Sequence, residues 1–192
     1  MSRAGRESPL VVETLARSHD RAGFSSGCGP LDEYLQRRAL QDQRRRAAVC
    51  HVLVSPAEPA RIIGYYTLSS YTIRLAELPA ALAGKLPRYP DVPCALLGRH
   101  AVDTAFRGRR LGEFLLVDAM YRCFTRVASQ VAVYALVTHA KDDAAAAFYQ
   151  RYDFIPFPAT PLTLFLPMAT ISDLFVRQAR RPARALQVPA GR

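Results

Sequence analysis

Apolar residues along the chain follow two spacings, which predict an alternation of strands and helices. Alternating or continuous apolar runs, typical of strands, occupy residues 9–15, 48–55, 61–73, 93–103, 131–138, 154–157 and 162–168. Apolar residues three and four positions apart, typical of helices, cover residues 30–46, 109–127 and 142–152, and a short helical piece falls within 74–92. The helix between the strands at 93–103 and 131–138 implies a parallel crossover, so we expect an α+β fold with a mixed sheet flanked by helices.

The length of the chain limits how it is organised. Its 192 residues correspond to one domain, and a hydrophobic fraction of 50% is enough for a full core. We place that domain at residues 1–172. The apolar pattern is lost from about Ser172, and we expect the basic, proline-containing stretch 173–192 to be a flexible C-terminal tail.

The charge balance is strongly basic, and nearly all of the basic residues are arginines. The formal net charge is +10, and only Lys85 and Lys141 among the 26 basic residues are lysines. Arginine binds phosphate through a planar fork, which favours a nucleic acid or a phosphorylated cofactor as a partner. The alternative is a GC-rich genome whose codons favour arginine, and composition does not decide between the two.

Several protein classes are disfavoured by residue patterns that the sequence lacks. The four cysteines form no C-x-x-C pair and the four histidines are scattered, so we expect no metal site and a reducing compartment. No apolar run reaches about 18 residues, and the N-terminus carries no apolar signal region. We therefore expect a cytoplasmic protein with no membrane partner.

The stretch GRHAVDTAFRGRRLG, residues 98–112, joins a strand to the longest predicted helix. A helix N-terminus has unpaired N–H groups and the positive end of the helix dipole, so it attracts anions. Gly108 and Gly112 give a phosphate access to the backbone, and three arginines add positive charge. The loop has neither the Walker lysine nor the glycine spacing of dinucleotide-binding motifs. Taken alone, it fits a diphosphate site or an ordinary strand–helix connection.

Two motifs stand in the order typical of one family. AVDTAFRGRRLGEFLLVDAM resembles the acetyl-CoA loop of the GNAT acetyltransferases, an Arg/Gln-x-x-Gly-x-Gly/Ala motif between a strand and a helix. DDAAAAFYQRYDFIPF resembles their second landmark, where a polar residue begins a helix and a tyrosine follows seven positions later. The resemblance covers about residues 8–171. It implies the GNAT fold and an N-acetyltransferase activity with acetyl-CoA as co-substrate.

Further stretches are similar to one branch of that family. AGFSSGCGPLDEYLQRRALQDQ, IIGYYTLSS, LLGRHAVD and LTLFLPM resemble the GNAT-type toxins of bacterial toxin–antitoxin pairs. Those enzymes acetylate the amino group of aminoacyl-tRNA and block translation, and their antitoxins are small ribbon–helix–helix proteins. The resemblance implies an aminoacyl-tRNA substrate and such an antitoxin as partner, and it leaves a homodimer open. Two alternatives remain: an acetyltransferase for a protein or small-molecule amine, and a non-catalytic binding domain of the same fold.

The resemblance assigns cofactor contacts along one strand and the loop after it. The exposed backbone edge of the strand would pair with the pantetheine arm, and the loop amides would hold the diphosphate. The residues so assigned are His100, Ala101, Val102, Arg107, Gly108, Arg109, Arg110, Leu111 and Gly112. Asp142 would touch the cofactor or only cap its helix. Arg110 departs from the motif, which has glycine there, so its Cβ could hinder the diphosphate or its side chain could fold outward onto a phosphate.

Tyr149 is the predicted catalytic residue. The resemblance implies that it is the general acid for the departing thiolate, and a phenol suits this role because its ordinary pKa of about 10 is close to that of a thiol. Tyr152 is a rival on the same helix. The alternative for Tyr149 is packing with Phe148 against the sheet. Since consecutive helical residues point about 100° apart, we expect Phe148 to be buried and Tyr149 to face the cleft.

A cluster of arginines makes the helix at residues 30–46 a candidate nucleic-acid surface. Its members are Arg37, Arg38, Arg44, Arg45 and Arg46. Charge runs are most often solvated helix faces. Here, repeated like charge favours a bound anion, either the tRNA backbone or the acidic tail of an antitoxin.

Overall fold

Seven strands form one sheet in the computed structural model, which describes residues 9–179. They are β1 (Val11–Thr14), β2 (Val49–Val54), β3 (Gly64–Arg74), β4 (Asp91–Val102), β5 (Ala135–His139), β6 (Ile155–Pro156) and β7 (Thr163–Pro167). Their order in the sheet is β1-β2-β3-β4-β5-β7-β6. The β4–β5 pair is parallel and every other pair is antiparallel, which confirms the predicted mixed sheet and its crossover.

Six α-helices connect and cover these strands. They are α1 (Gly29–Glu33), α2 (Ala39–Arg44), α3 (Ala80–Ala83), α4 (Leu111–Arg122), α5 (Asp143–Gln150) and α6 (Met168–Ala179). A π-helical turn, Tyr34–Arg38, joins α1 to α2, and a second, Cys123–Val127, extends α4. Within residues 9–179, none of these helices is long and apolar enough to cross a membrane.

The two faces of the sheet pack against different helices. Because consecutive strand residues point to opposite faces, Tyr65 and Tyr66 belong to separate clusters. Tyr65 donates a hydrogen bond to the Leu31 carbonyl of α1 (2.7 Å), whereas Tyr66 donates one to Asp118 of α4 (2.5 Å). The sheet is therefore enclosed by α1 and α2 on one side and by α4 on the other.

α6 continues through residue 172, where the flexible tail was predicted to begin. Ile171 is fully buried, and the ring of Phe175 stacks on Phe124 and meets the edge of Tyr121. These contacts between α6 and the α4 segment hold residues 173–179 in a helix rather than in a flexible tail. The rest of the predicted tail, residues 180–192, lies outside the described residues.

The starts of β4 and β5 also differ from the prediction. β4 begins at Asp91, two residues before the predicted strand at 93–103, because it pairs there with the end of β3 and Asp91 forms an ion pair with Arg74 (2.7 Å). β5 begins only at Ala135, so residues 131–134 of the predicted strand are not part of the sheet. The earlier start of β4 lengthens the strand that leads into the loop before α4.

Candidate active site

A cleft opens in the sheet where β4 and β5 separate. The two strands pair only from Cys94 to Leu97 on β4 and from Ala135 to Thr138 on β5, although β4 continues to Val102. The cleft has a volume of about 510 Å³. Its β4 wall consists of residues 98–102 and its β5 wall of residues 138–141. Main-chain groups of β4 beyond Leu97 therefore have no partner strand on the β5 side.

A β-bulge accounts for the separation of the strands. His100 pairs with Tyr66 and Leu97 pairs with Leu68, so Gly98 and Arg99 together face the single residue Thr67. A Cβ on Gly98 would lie 3.0 Å from the Thr67 hydroxyl oxygen, which explains the glycine. The extra residue bends β4 away from β5.

The Tyr149 side chain closes the cleft from α5. Its hydroxyl oxygen lies 3.3 Å from Nδ1 of His100, and the other ring nitrogen of His100 lies 3.0 Å from the Gly112 carbonyl oxygen. Tyr149 is only 6% exposed, while Phe148 is half-buried and also lines the cleft. Both residues therefore line the cleft, and the expectation that Phe148 is the buried one of the two is wrong, since Tyr149 is the more deeply buried.

Burial determines the protonation of both groups. It raises the pKa of Tyr149, against a smaller opposing effect of the Thr138 hydroxyl. It lowers the pKa of His100 to about 4, although the Gly112 carbonyl acts in the opposite direction. At neutral pH the cleft therefore presents a neutral phenol beside a neutral imidazole.

The rival tyrosine lies elsewhere. Tyr152 is not among the residues that line the cleft. Burial raises its pKa, and a hydrogen bond with Glu113 raises that pKa further. Of the two tyrosines on this helical segment, only Tyr149 lines the cleft.

The loop before α4 has the backbone of an anion site. Gly108 has φ +78° and Arg110 has φ +55°, both in the left-handed region, and the first α4 hydrogen bond runs from the Phe114 N–H to the Arg110 carbonyl (3.2 Å). The N–H groups of the first turn of α4 therefore have no helical carbonyl to bind. Open space surrounds the position of a Cβ at Gly108, so an anion can approach the main chain there.

The arginine side chains of the loop are turned to other partners. Arg110 folds back onto Glu113 of α4, with donor–acceptor distances of 2.9 and 2.6 Å, rather than into the cleft. Arg107 donates a hydrogen bond to the Ser26 carbonyl (2.6 Å) and so joins this loop to the segment that precedes α1. The guanidinium of Arg109 lies 5.8 Å from the ring centre of Phe106. A diphosphate here would meet main-chain amides first.

The other residues predicted to contact the cofactor lie in three kinds of place. Ala101, Val102 and Gly112 line the cleft with His100. Leu111 is buried in the core beneath the loop, so only its backbone is available. Asp142 is the N-cap of α5: its carboxylate accepts a hydrogen bond from the Ala145 N–H (2.8 Å).

Several cleft residues were missed by sequence analysis. Cys28, Leu31, Arg99, Thr138, His139 and Lys141 all line it. An isolated glycine inside a strand pattern is a signal for a bulge, so Gly98 could have indicated that the neighbouring Arg99 lies at a bulge. No sequence signal indicated that the segment before α1 forms part of the cleft wall. Its position depends on the Arg107–Ser26 contact and on a hydrogen bond that the Ser25 N–H donates to Asp103 (2.9 Å).

All five arginines of the predicted nucleic-acid surface are exposed. Arg37 forms an ion pair with Glu33 (3.7 Å), and the other four make no ion pair with any residue between 9 and 179. This surface, defined as Arg37, Arg38, Arg44, Arg45 and Arg46, lies on the π-helical turn and at the end of α2. The same helical segment begins at the cleft, where Pro30 and Leu31 form part of the wall.

Potential metal ligands are dispersed. In the part of the chain from residue 9 to residue 179, no three His, Cys, Asp or Glu side chains lie close enough together to bind a metal ion.

The strand order, the divergence of β4 and β5 and the loop before α4 together define an acetyltransferase. The chain belongs to the GNAT acetyltransferase family, since residues 19–154 match the model of the Acetyltransferase (GNAT) family. It is also 37% identical over 154 residues to a tRNA-acetylating toxin of Mycobacterium tuberculosis, and the alignment covers 80% of this chain and 89% of the relative.

Solved structures of the toxin AtaT are similar to this chain over nearly their whole length. AtaT complexed with acetyl-methionyl-tRNAfMet has a TM-score of 0.80 and 27% identity, covering 87% of this chain and 99% of that one. AtaTR bound with acetyl-CoA has a TM-score of 0.75 and 27% identity, covering 86% and 98%. A variant of AtaT bound to the C-terminus of the antitoxin AtaR has a TM-score of 0.73 and 25% identity, again covering 86% and 98%.

Proposed function

We propose that this protein is a toxin that transfers the acetyl group of acetyl-CoA to the amino group of aminoacyl-tRNA and thereby blocks translation. The observation that carries the proposal is the Tyr149 hydroxyl at the cleft where β4 leaves β5, in a chain related to a tRNA-acetylating toxin. The exposed arginines on the helix that begins at this cleft favour a nucleic-acid acceptor over a small amine.

The residues present fit acetyl-CoA. The main-chain amides from Arg107 to Gly112 would hold the diphosphate at the positive end of α4, and the unpaired edge of β4 at residues 98–102 would pair with the amides of the pantetheine arm. A main-chain N–H on the same edge is the candidate donor for the charge that develops on the carbonyl oxygen. When bound, acetyl-CoA supplies a thioester whose sulfur leaves as a thiolate.

Tyr149 would supply the proton for that sulfur. Its hydroxyl is protonated at neutral pH, because the ordinary pKa of a phenol is about 10 and burial raises the pKa of Tyr149 further, so the group can act as a donor. The O–H bond breaks as the proton moves to sulfur. The acceptor nitrogen loses one proton on becoming an amide, and that proton restores the phenol, so the exchange balances.

The acceptor amine must be neutral when it attacks. The α-amino group of an aminoacyl ester is less basic than a lysine side chain, and desolvation inside the cleft disfavours its charged form further. Two cations at the walls, Arg99 and Lys141, act in the same direction. A dedicated general base is therefore not required by this arrangement.

The arginine surface lies at a suitable distance for a tRNA whose charged end enters the cleft. From Pro30 at the cleft wall to Arg37 is seven residues, or roughly 10 Å along the helix, and to Arg45 it is roughly 22 Å. Phosphates on the neighbouring stem of the tRNA would meet these side chains.

Labelled acetyl-CoA tests the proposal directly. Incubation with total charged tRNA should place the label on the aminoacyl amino group, where it is released together with the amino acid when the ester is hydrolysed. Label on protein or small-molecule amines alone would contradict the tRNA assignment. No stabilisation by acetyl-CoA in a thermal-shift measurement would indicate the non-catalytic alternative.

We further propose a ribbon–helix–helix antitoxin as the partner of this chain and the bacterial cytoplasm as its compartment. The structure of AtaT bound to the C-terminus of its antitoxin supports the proposed partner. The proposed compartment is supported by the structure of AtaT with acetyl-methionyl-tRNAfMet, because charged tRNA is used in the cytoplasm. A short ribbon–helix–helix reading frame beside the gene, and its co-purification with this chain, would test the partner. Sedimentation of the free protein would test the homodimer that remains a prediction.

A further inference from the structure

The His100 side chain bridges two parts of the cleft. Nε2 lies 3.0 Å from the Gly112 carbonyl oxygen in the first turn of α4, and Nδ1 lies 3.3 Å from the Tyr149 hydroxyl on α5. The ring centres of His100 and Tyr149 are 6.1 Å apart, and Phe148 flanks the imidazole at 5.8 Å. A strand residue thus contacts both the loop proposed to hold the diphosphate and the proposed acid.

These contacts determine the tautomer of His100. A carbonyl oxygen only accepts hydrogen bonds, so Nε2 must carry the proton and donate it to Gly112. The neutral ring then has a lone pair on Nδ1, and the Tyr149 hydroxyl is the donor in the second contact.

We infer that His100 is a positioning residue for the reaction: its Nδ1 lone pair orients the O–H group of Tyr149 in the cleft, and its Nε2–H fixes that orientation relative to the first turn of α4. The inference rests on the proposed function of Tyr149 as the acid. In the free enzyme the phenol proton points at Nδ1. Bound acetyl-CoA would supply a second acceptor for that proton, while His100 would keep the ring of Tyr149 in place.

One other side chain, that of Thr138, is close enough to hydrogen-bond with the Tyr149 hydroxyl. The Thr138 hydroxyl donates to the Leu97 carbonyl (3.1 Å), which leaves its oxygen as another acceptor for Tyr149 rather than a donor. The titratable or charged groups that line the same cleft are Cys28 on the segment before α1, Arg99 on β4, His139 on β5 and Lys141 before α5. None of the four has a hydrogen bond to the Tyr149 hydroxyl in the part of the chain that is described.

Two amide substitutions separate the contacts of His100. In His100→Asn the side-chain oxygen falls near the place of Nδ1 and keeps an acceptor for Tyr149. In His100→Gln the longer side chain keeps a donor for Gly112 and loses the acceptor. The inference predicts that His100→Gln lowers kcat with charged tRNA by roughly ten-fold, while the KM for acetyl-CoA changes little. His100→Asn should recover a large part of that loss. Equal kcat values in the two variants would overturn the inference.

A double-mutant cycle distinguishes failure of this inference from failure of the proposed function. If His100 acts through the hydroxyl, His100→Gln should have no further effect on kcat in a Tyr149→Phe background. A Tyr149→Phe enzyme with full activity would refute the acid assignment itself. An impaired Tyr149→Phe enzyme beside a fully active His100→Gln enzyme would refute the inference alone.

Nitrogen NMR of the histidine ring provides a readout that does not depend on activity. The full chain labelled with 15N-histidine should show His100 as the neutral Nε2–H tautomer at pH 7. The Nδ1 resonance should shift in Tyr149→Phe, because that nitrogen loses its donor. A charged ring, the Nδ1–H tautomer or an unchanged Nδ1 shift would each contradict the inference.

Discussion

The guanidinium of Arg110 binds one carboxylate oxygen of Glu113 through two nitrogens, at 2.9 and 2.6 Å. This pair keeps the side chain outside the cleft while the main chain takes the left-handed conformation, φ +55°, that the family motif assigns to glycine. The departure from the motif therefore changes the side chain and leaves the geometry of the anion loop in place.

The left-handed backbone at Arg110 predicts that two substitutions there change the KM for acetyl-CoA differently. Arg110→Val places a β-branched residue at positive φ and should raise the KM for acetyl-CoA by roughly five-fold, about 1 kcal/mol of loop strain. Arg110→Gly accepts the same φ at no steric cost, so its KM should stay at or below the original value. Steady-state kinetics measures both. Equal KM values in the two variants would show that the loop geometry does not limit cofactor binding.

Asp142 is predicted to act as a helix cap and not as a cofactor ligand. Asp142→Ala should lower the free energy of unfolding by about 1 kcal/mol, because the short helix α5 loses the acceptor for the Ala145 N–H. Asp142→Ser keeps a capping oxygen and should remain close to the original stability. Urea unfolding gives the stabilities, and the KM for acetyl-CoA should be unchanged in Asp142→Ser. A raised KM at normal stability would indicate direct contact with the cofactor.

The arginine surface predicts a salt dependence that reports phosphate contacts. Each lost contact lowers the slope of log K against log salt by about 0.7 to 0.9, so Arg45→Glu should lower the slope for tRNA binding by that amount. Reversal of Arg44, Arg45 and Arg46 together should lower it by up to about three times as much. Arg126→Glu is the matched control, since that exposed side chain lies at the far end of the α4 segment. The same slope for Arg45→Glu and Arg126→Glu would argue against this surface.

His51 predicts how stability depends on pH. Burial and the nearby Arg122 lower its pKa to about 4, so between pH 6.5 and 4 the unfolded chain binds a proton that the folded chain excludes. The contribution of His51 is therefore fully present above pH 6.5 and declines as the pH falls towards 4, by up to roughly 3 kcal/mol. Relative to the unsubstituted protein, His51→Phe should gain stability by about that amount on acidification. If the free energies of unfolding of His51→Phe and of the unsubstituted protein differ by a constant amount from pH 6.5 to pH 4, the assignment is contradicted.

The sequence predicted the elements that carry their own periodic pattern. The apolar stripe of the α4 helix includes Leu115 and Ala119, both fully buried, so its position followed from spacing alone. Gly108 and the capping Asp142 were identifiable on other grounds, because a left-handed backbone favours glycine and a helix N-terminus favours a capping carboxylate. The helix, the loop and the cap are the features that position the predicted cofactor site.

Features that depend on distant contacts could not be predicted. Residues 173–179 are helical because Phe175 packs on Phe124, which lies far away in sequence. The burial of Tyr149 likewise depends on its contact with His100 of β4, at a ring-centre distance of 6.1 Å. The amphipathic pattern of α5 indicated which helix face is apolar but not which of two neighbouring aromatic rings enters the cleft.

The most direct test of the account is the rate of acetyl transfer to charged tRNA by Tyr149→Phe, with Tyr152→Phe as the matched control. The account predicts that Tyr149→Phe loses roughly 10²- to 10⁴-fold in kcat, the usual contribution of a general acid, and keeps its affinity for acetyl-CoA. Tyr152→Phe should retain the original rate, because Tyr152 lies outside the cleft. A Tyr149→Phe enzyme that acetylates charged tRNA at the original rate would contradict the account.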